Sequence, residues 1–140
     1  MKTSELLRHQ IIEHLSAQCV EDAAVNAVDL WEQLASKIIS IIGEGGFCSL
    51  YVRSIFLAQA TFPWFTGCPL SSEIDNRFAK LKLAFSVQTP ERACAANCLL
   101  LITFTDILAS LIGEELTTSI LRSAWGDFAP GLADKDLSHE

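Results

Sequence analysis

Basic side chains are scarce in this sequence. Its 10 lysines and arginines stand against 17 acids, for a net charge of −7. The few cations are scattered, and the densest group, Arg77, Lys80 and Lys82, fits one solvated helix face. Recognition of a phosphate backbone relies on clustered Lys and Arg, so nucleic acid is set aside as a partner. A charge of this sign and size serves solubility.

Ligand and nucleophile patterns are missing as well. The 5 cysteines are an odd number without framework spacing, which suits reduced thiols and a cytoplasmic setting. Cys94 and Cys98 are one helical turn apart and could offer two metal ligands, but zinc needs more. His9, His14 and His139 fall in a different helix or in the tail, so the pair reads as buried core thiols, with no metal site and no cofactor expected. His9 and His14 lack the neighbouring lysine and small residue of a phosphoryl-accepting histidine. "GEGG", from Gly43 to Gly46, has neither a preceding strand nor the Lys-Ser/Thr of a phosphate loop. Ser49, Ser54 and Ser123 have no His and Asp companions in triad spacing. No catalytic residue is assigned, and a non-enzymatic role is expected.

The opening "MKTSELLRHQ" has no apolar run of signal-peptide length, so secretion is not expected. Ala93 to Gly113 is long enough to span a bilayer. It carries Asn97, Thr103, Thr105 and Asp106, however, and an aspartate at that depth is costly. The stretch reads as a helix buried in a bundle, without membrane partners.

What the chain has is apolar surface. Hydrophobic residues make up 50% and charged residues 19%, against about 25% charged in ordinary domains. That excess favours burial between subunits or around an apolar ligand.

Helical periodicity dominates, and Tyr51-Val52 and Phe62 to Phe65 are too short or too proline-broken for strands. Thr3 or Ser4 caps a first helix with Leu7, Ile11, Leu15 and Cys19 on one stripe. A second helix starts near Glu21 or Asp22, carries Leu30, Trp31, Leu34, Ile38, Ile41 and Ile42, and stops at Gly43. A third runs from Gly46 to Ala60. A fourth, from Ser71 or Ser72, places Ile74, Phe78, Leu81 and Phe85 at helical spacing. "TPE" at Thr89 to Glu91 starts a fifth helix that ends before Gly113, and a sixth covers Glu115 to Trp125. The tail, 127–140, is expected to fray. The fold expected is all-α, one domain, a six-helix bundle.

One phrase recurs. "IIGE" at Ile41 to Glu44 and "LIGE" at Leu111 to Glu114 lie 70 residues apart, with Leu30, Leu34 and Ile38 matched by Leu100, Phe104 and Leu108. Dropping one residue then aligns Tyr51, Arg53, Ser54 and Phe56 with Ile120, Arg122, Ser123 and Trp125. Two readings compete. Glycine-capped amphipathic helices resemble each other by chance, or residues 1–60 and 71–126 are two three-helix halves related by a pseudo-two-fold axis.

The expected function is a cytoplasmic helical protein-interaction or regulatory module that acts through apolar helix faces, as a homodimer or with a protein partner. The alternative is a binding protein for a small apolar ligand or cofactor between the halves, lined by Trp31, Phe62, Trp64, Phe65 and Phe104. Arg53 and Arg122, if symmetry pairs them, form an anion or partner site. "FPWF", Phe62 to Phe65, is either a lid folded on the core or an exposed contact surface.

Overall fold

The computed structural model describes residues 2–17, 23–67, 69–70 and 76–126, and those residues are helical with no strand among them. Five α-helices follow in order: α1 Lys2–Ala17, α2 Ala23–Ala58, α3 Ala79–Ser86, α4 Pro90–Ile112 and α5 Glu114–Trp125, with a 3-10 turn at Pro63–Gly67 between α2 and α3. The all-α expectation holds. Among the described residues five α-helices stand where six were expected.

The reason lies at Gly43, whose φ of 85° and ψ of 169° break α2 in its middle. That backbone region is open to glycine almost alone. The helix restarts directly at Glu44 rather than at Gly46, so no loop separates the two stretches and they form one bent element. Gly113, with φ 97° and ψ 154°, makes the same turn between α4 and α5. There the Gly113 amide still donates to the Ala109 carbonyl at 2.8 Å, and the Thr117 hydroxyl donates to the Gly113 carbonyl at 2.8 Å. At the other end of α4, Thr89 accepts from the Arg92 amide at 3.2 Å, with Pro90 in the first turn, as the "TPE" stretch predicts. Residues 71–75, where the fourth helix was expected to start, and the tail 127–140 lie outside the described residues.

The core is centred on the pairing of α2 with α4. Trp31 meets Phe104 at 5.2 Å and Tyr51 at 5.7 Å between ring centroids, both edge to face, and Phe47 meets Phe104 at 5.4 Å. Phe78 closes the cluster against Trp31 at 5.9 Å. Each edge-to-face pair adds about 0.5–1.5 kcal/mol beyond the area it buries. Two indole N–H groups are satisfied inside: Trp31 donates to Asn97 Oδ1 at 2.8 Å, and Trp125 donates to the Leu30 carbonyl at 2.9 Å. α1 packs on α4 and α5, while α3 packs on α2 and the 3-10 turn. The "FPWF" stretch lies inward: Phe65 is buried, and Trp64 and Phe65 contact Phe85 of α3 at 5.8 and 6.2 Å.

Burial repeats along the chain. Ala23, Ala27, Leu30, Trp31, Leu34, Ala35, Ile38, Phe47, Leu50, Tyr51 and Ser54 are buried, and so is each residue 70 positions on, from Ala93 to Ala124. This register persists to the end of α5 without the one-residue step that residue identities suggest. It sets Arg122 at the place of Val52 and Arg53 at the place of Ser123.

Two helices, α2 and α4, are long and apolar enough to cross a membrane by length and composition, with mean hydropathy of 1.3 and 1.9. The core helices of a packed bundle meet the same criterion, so it decides nothing alone.

Candidate functional site

The second stretch of α2 buries Phe47, Leu50, Tyr51, Ser54 and Ala58 and turns the opposite face outward. Val52 and Phe56, one turn apart, are 61% and 62% exposed, and Leu57 beside them is exposed too. Val52 and Phe56, with Cys48, Ser49 and Arg53, line a shallow, open depression of about 630 Å³. Solvating that much apolar side chain costs free energy that a covering partner would recover, at roughly 25 cal/mol per Å² removed from water. Gly45 and Ser49 leave this face low next to Val52, and a Cβ at Gly45 would meet nothing within 4 Å.

A charged cluster was not anticipated from the sequence. Arg8 is only 1% exposed, though it carries a full charge. Its Nε and Nη2 donate to the two carboxylate oxygens of Glu114 at 3.0 and 2.6 Å. Its Nη1 donates to Asp106 Oδ1 at 2.7 Å and to the Thr105 hydroxyl at 2.9 Å. Thr105 passes the chain on by donating to the Leu101 carbonyl at 2.8 Å. His9 Nε2 lies 3.0 Å from the same Asp106 oxygen. Burial works against the charge on Arg8, yet Glu114 and Asp106 outweigh it and raise the guanidinium pKa above its ordinary value. Hydrogen bonding from Arg8 in turn holds the Glu114 carboxyl below the usual carboxylate range.

Leu7, set inward by the sequence reading, is half-buried against the core, and the fully buried stripe takes in Arg8, Ile12 and Ser16 beside the expected Ile11 and Leu15. The cause is the pair of carboxylates waiting on α4 and α5. An arginine three residues before Ile11 and seven before Leu15 was the available signal. A second pair joins Arg77 to Glu44, with bonds of 2.9 and 3.2 Å. It borders a polar cleft of about 490 Å³ lined also by Glu32, Ser36 and Ser40. Glu44 and Glu114, the repeated acids of the "IGE" phrase, thus each hold an arginine from elsewhere in the chain, Arg77 from just before α3 and Arg8 from α1.

The remaining candidates separate. Trp31, Phe65 and Phe104 are fully buried, while Phe62 and Trp64 are half-buried in the 3-10 region. Arg53 and Arg122 are both exposed, and the burial register does not pair them. Cys94 and Cys98 are half-buried thiols on α4, and burial pushes the Cys98 thiol pKa up. Among the described residues no three His, Cys, Asp or Glu side chains gather into a metal-binding group. No family model, curated protein or solved structure matches this chain.

Proposed function

We propose that this chain is a cytoplasmic helical interaction module that self-associates, burying the outward face of the second stretch of α2 against a second copy. The observation that carries the reading is the exposure of Val52 and Phe56 side by side on a helix whose other face is packed. The occupant follows from charge. The chain is acidic overall, but Arg53 is the one charged residue among those lining the depression. Two copies therefore meet there with the least mutual repulsion. Ser49, a small residue in the lining, lets a second helix come close.

A binding role for an apolar ligand has less support, because Trp31 and Phe104 pack against each other. The ion pair between Asp106 and Arg8 supports a bundle rather than a membrane span. The same proposal takes residues 1–60 and 71–126 as two three-helix halves around a pseudo-two-fold axis. In support stand the burial register, the matched turns at Gly43 and Gly113, and the matched pairs of Glu44 with Arg77 and Glu114 with Arg8. Each pair joins an arginine early in one half, Arg8 of α1 or Arg77 just before α3, to the glycine turn of the other.

Amide hydrogen exchange measured over a concentration series tests the surface. Protection of residues 48–57 should rise with protein concentration while the rest of α2 stays unchanged. Protection independent of concentration would reject the self-associating face.

A further inference from the structure

We infer that α1 is a separable strap lying in a helix-binding groove on α4 and α5, and that the groove recognises an amphipathic partner helix bearing an arginine in the place of Arg8. The aromatic core supports separability. Its rings come from α2, α4 and the entry to α3, and α1, with the sequence KTSELLRHQIIEHLSA, contains no aromatic side chain of that cluster. The helix is joined in sequence to α2, yet it packs on α4 and α5. Its apolar anchors are Ile11, Ile12 and Leu15. The remaining anchor is Arg8, held by Glu114, Asp106 and Thr105.

The direction of binding is also set. Arg8 meets Thr105 and Asp106, whereas Ser16 and Glu13 lie near Cys98, so α1 runs antiparallel to α4. The groove thus reads four positions: a guanidinium, then apolar side chains three, four and seven residues later, the usual anchor spacing of a helix in a groove. Charge complementarity picks the partner. Two carboxylates at one end, Asp106 at 45% and Glu114 at 21% side-chain exposure, favour a cationic helix and disfavour an acidic one, whose charge they would repel. Arginine suits the place better than lysine, since Glu114 accepts two parallel N–H bonds.

A fluorescent peptide of sequence 2–17 titrated against full-length chains tests the idea by anisotropy. The Arg8→Ala chain, its own strap loosened, should bind the peptide one to one, at least about tenfold more tightly than the wild-type chain does. The same peptide with Arg8→Glu should bind the Arg8→Ala chain at least about tenfold more weakly, and should recover on an Arg8→Ala/Glu114→Lys chain. Where Arg8→Ala fails to fold, Glu114→Gln provides the second route. Its α1 amides should exchange faster while the near-ultraviolet signal of Trp31 and Trp125 stays in place. Peptide binding indifferent to the charge of residue 8, or loss of the tryptophan signal together with α1, would overturn the inference. Dimers that form only when Arg8→Glu and Glu114→Lys chains are mixed would overturn it too, by giving the groove to a second copy's α1.

Discussion

Replacing Gly43 with alanine isolates the backbone geometry of the bend from everything else. An added Cβ there would meet nothing within 4 Å, so no packing clash enters. What remains is the φ of 85° with ψ of 169°, a region that costs an L-residue about 1–3 kcal/mol. Gly45 provides the control two residues later. Its surroundings are equally empty, its φ is ordinary for a helix, and alanine there should stabilise by about 0.5–1 kcal/mol. The same chemical change is thus expected to act with opposite sign at two neighbouring, equally open positions. Gly113→Ala should behave like Gly43→Ala, its φ being 97° with open space around it. The double variant should lose close to the sum, since the two turns belong to different helices. Urea unfolding followed by tryptophan fluorescence reads these differences, because Trp31 and Trp125 are fully buried. A Gly43→Ala chain as stable as wild type, or a Gly45→Ala chain as damaged as Gly43→Ala, would refute the bent-helix account.

Other consequences follow from single contacts. Trp31→Phe strands the buried Asn97 Oδ1 and should cost about 1–3 kcal/mol, part of which Asn97→Leu in the same chain should restore, as a double-mutant unfolding cycle would show. Leu34→Ala, at a fully buried position, should cost about 2–5 kcal/mol by the same unfolding assay. The Glu114 carboxyl titrates below its unfolded value because of Arg8, so its stabilising contribution is present above the ordinary carboxylate range and is lost as pH falls through the folded pKa. Glu114→Gln should therefore be less stable than wild type at neutral pH, with the gap closing on acidification; parallel unfolding curves across pH would contradict this.

The helical class was legible because apolar residues recur at helical spacing and Thr89-Pro90 and the two glycines punctuate them. The junction at Gly43 was misjudged because glycine at positions 45 and 46 suggested a flexible restart, whereas the turn needs one glycine only and the helix resumes at Glu44. The Arg8 cluster escaped notice for a different reason. Its partners lie about 100 residues away, and local periodicity prices arginine as a surface residue, so Leu7 took its place in the expected stripe. The aromatics expected as one ligand lining fall in two clusters, Trp31 with Phe104 and Phe62 with Trp64 and Phe65, and Trp31, Phe65 and Phe104 are buried in the core. The exposed pair Val52 and Phe56 was passed over because each reads as an ordinary member of an apolar helix; only the placement of Phe47, Leu50 and Tyr51 inward shows that they point out.

The central claim is that the open face of α2 joins two copies of this chain. Light scattering on the purified protein, alone and with Val52→Asp/Phe56→Asp, tests it most directly. The wild-type protein should show twice the 15.3 kDa chain mass. The variant, its substitutions confined to exposed positions, should keep its helicity while falling to a single chain mass. A wild-type monomer across the accessible concentration range, or a variant that remains a dimer, would contradict the account.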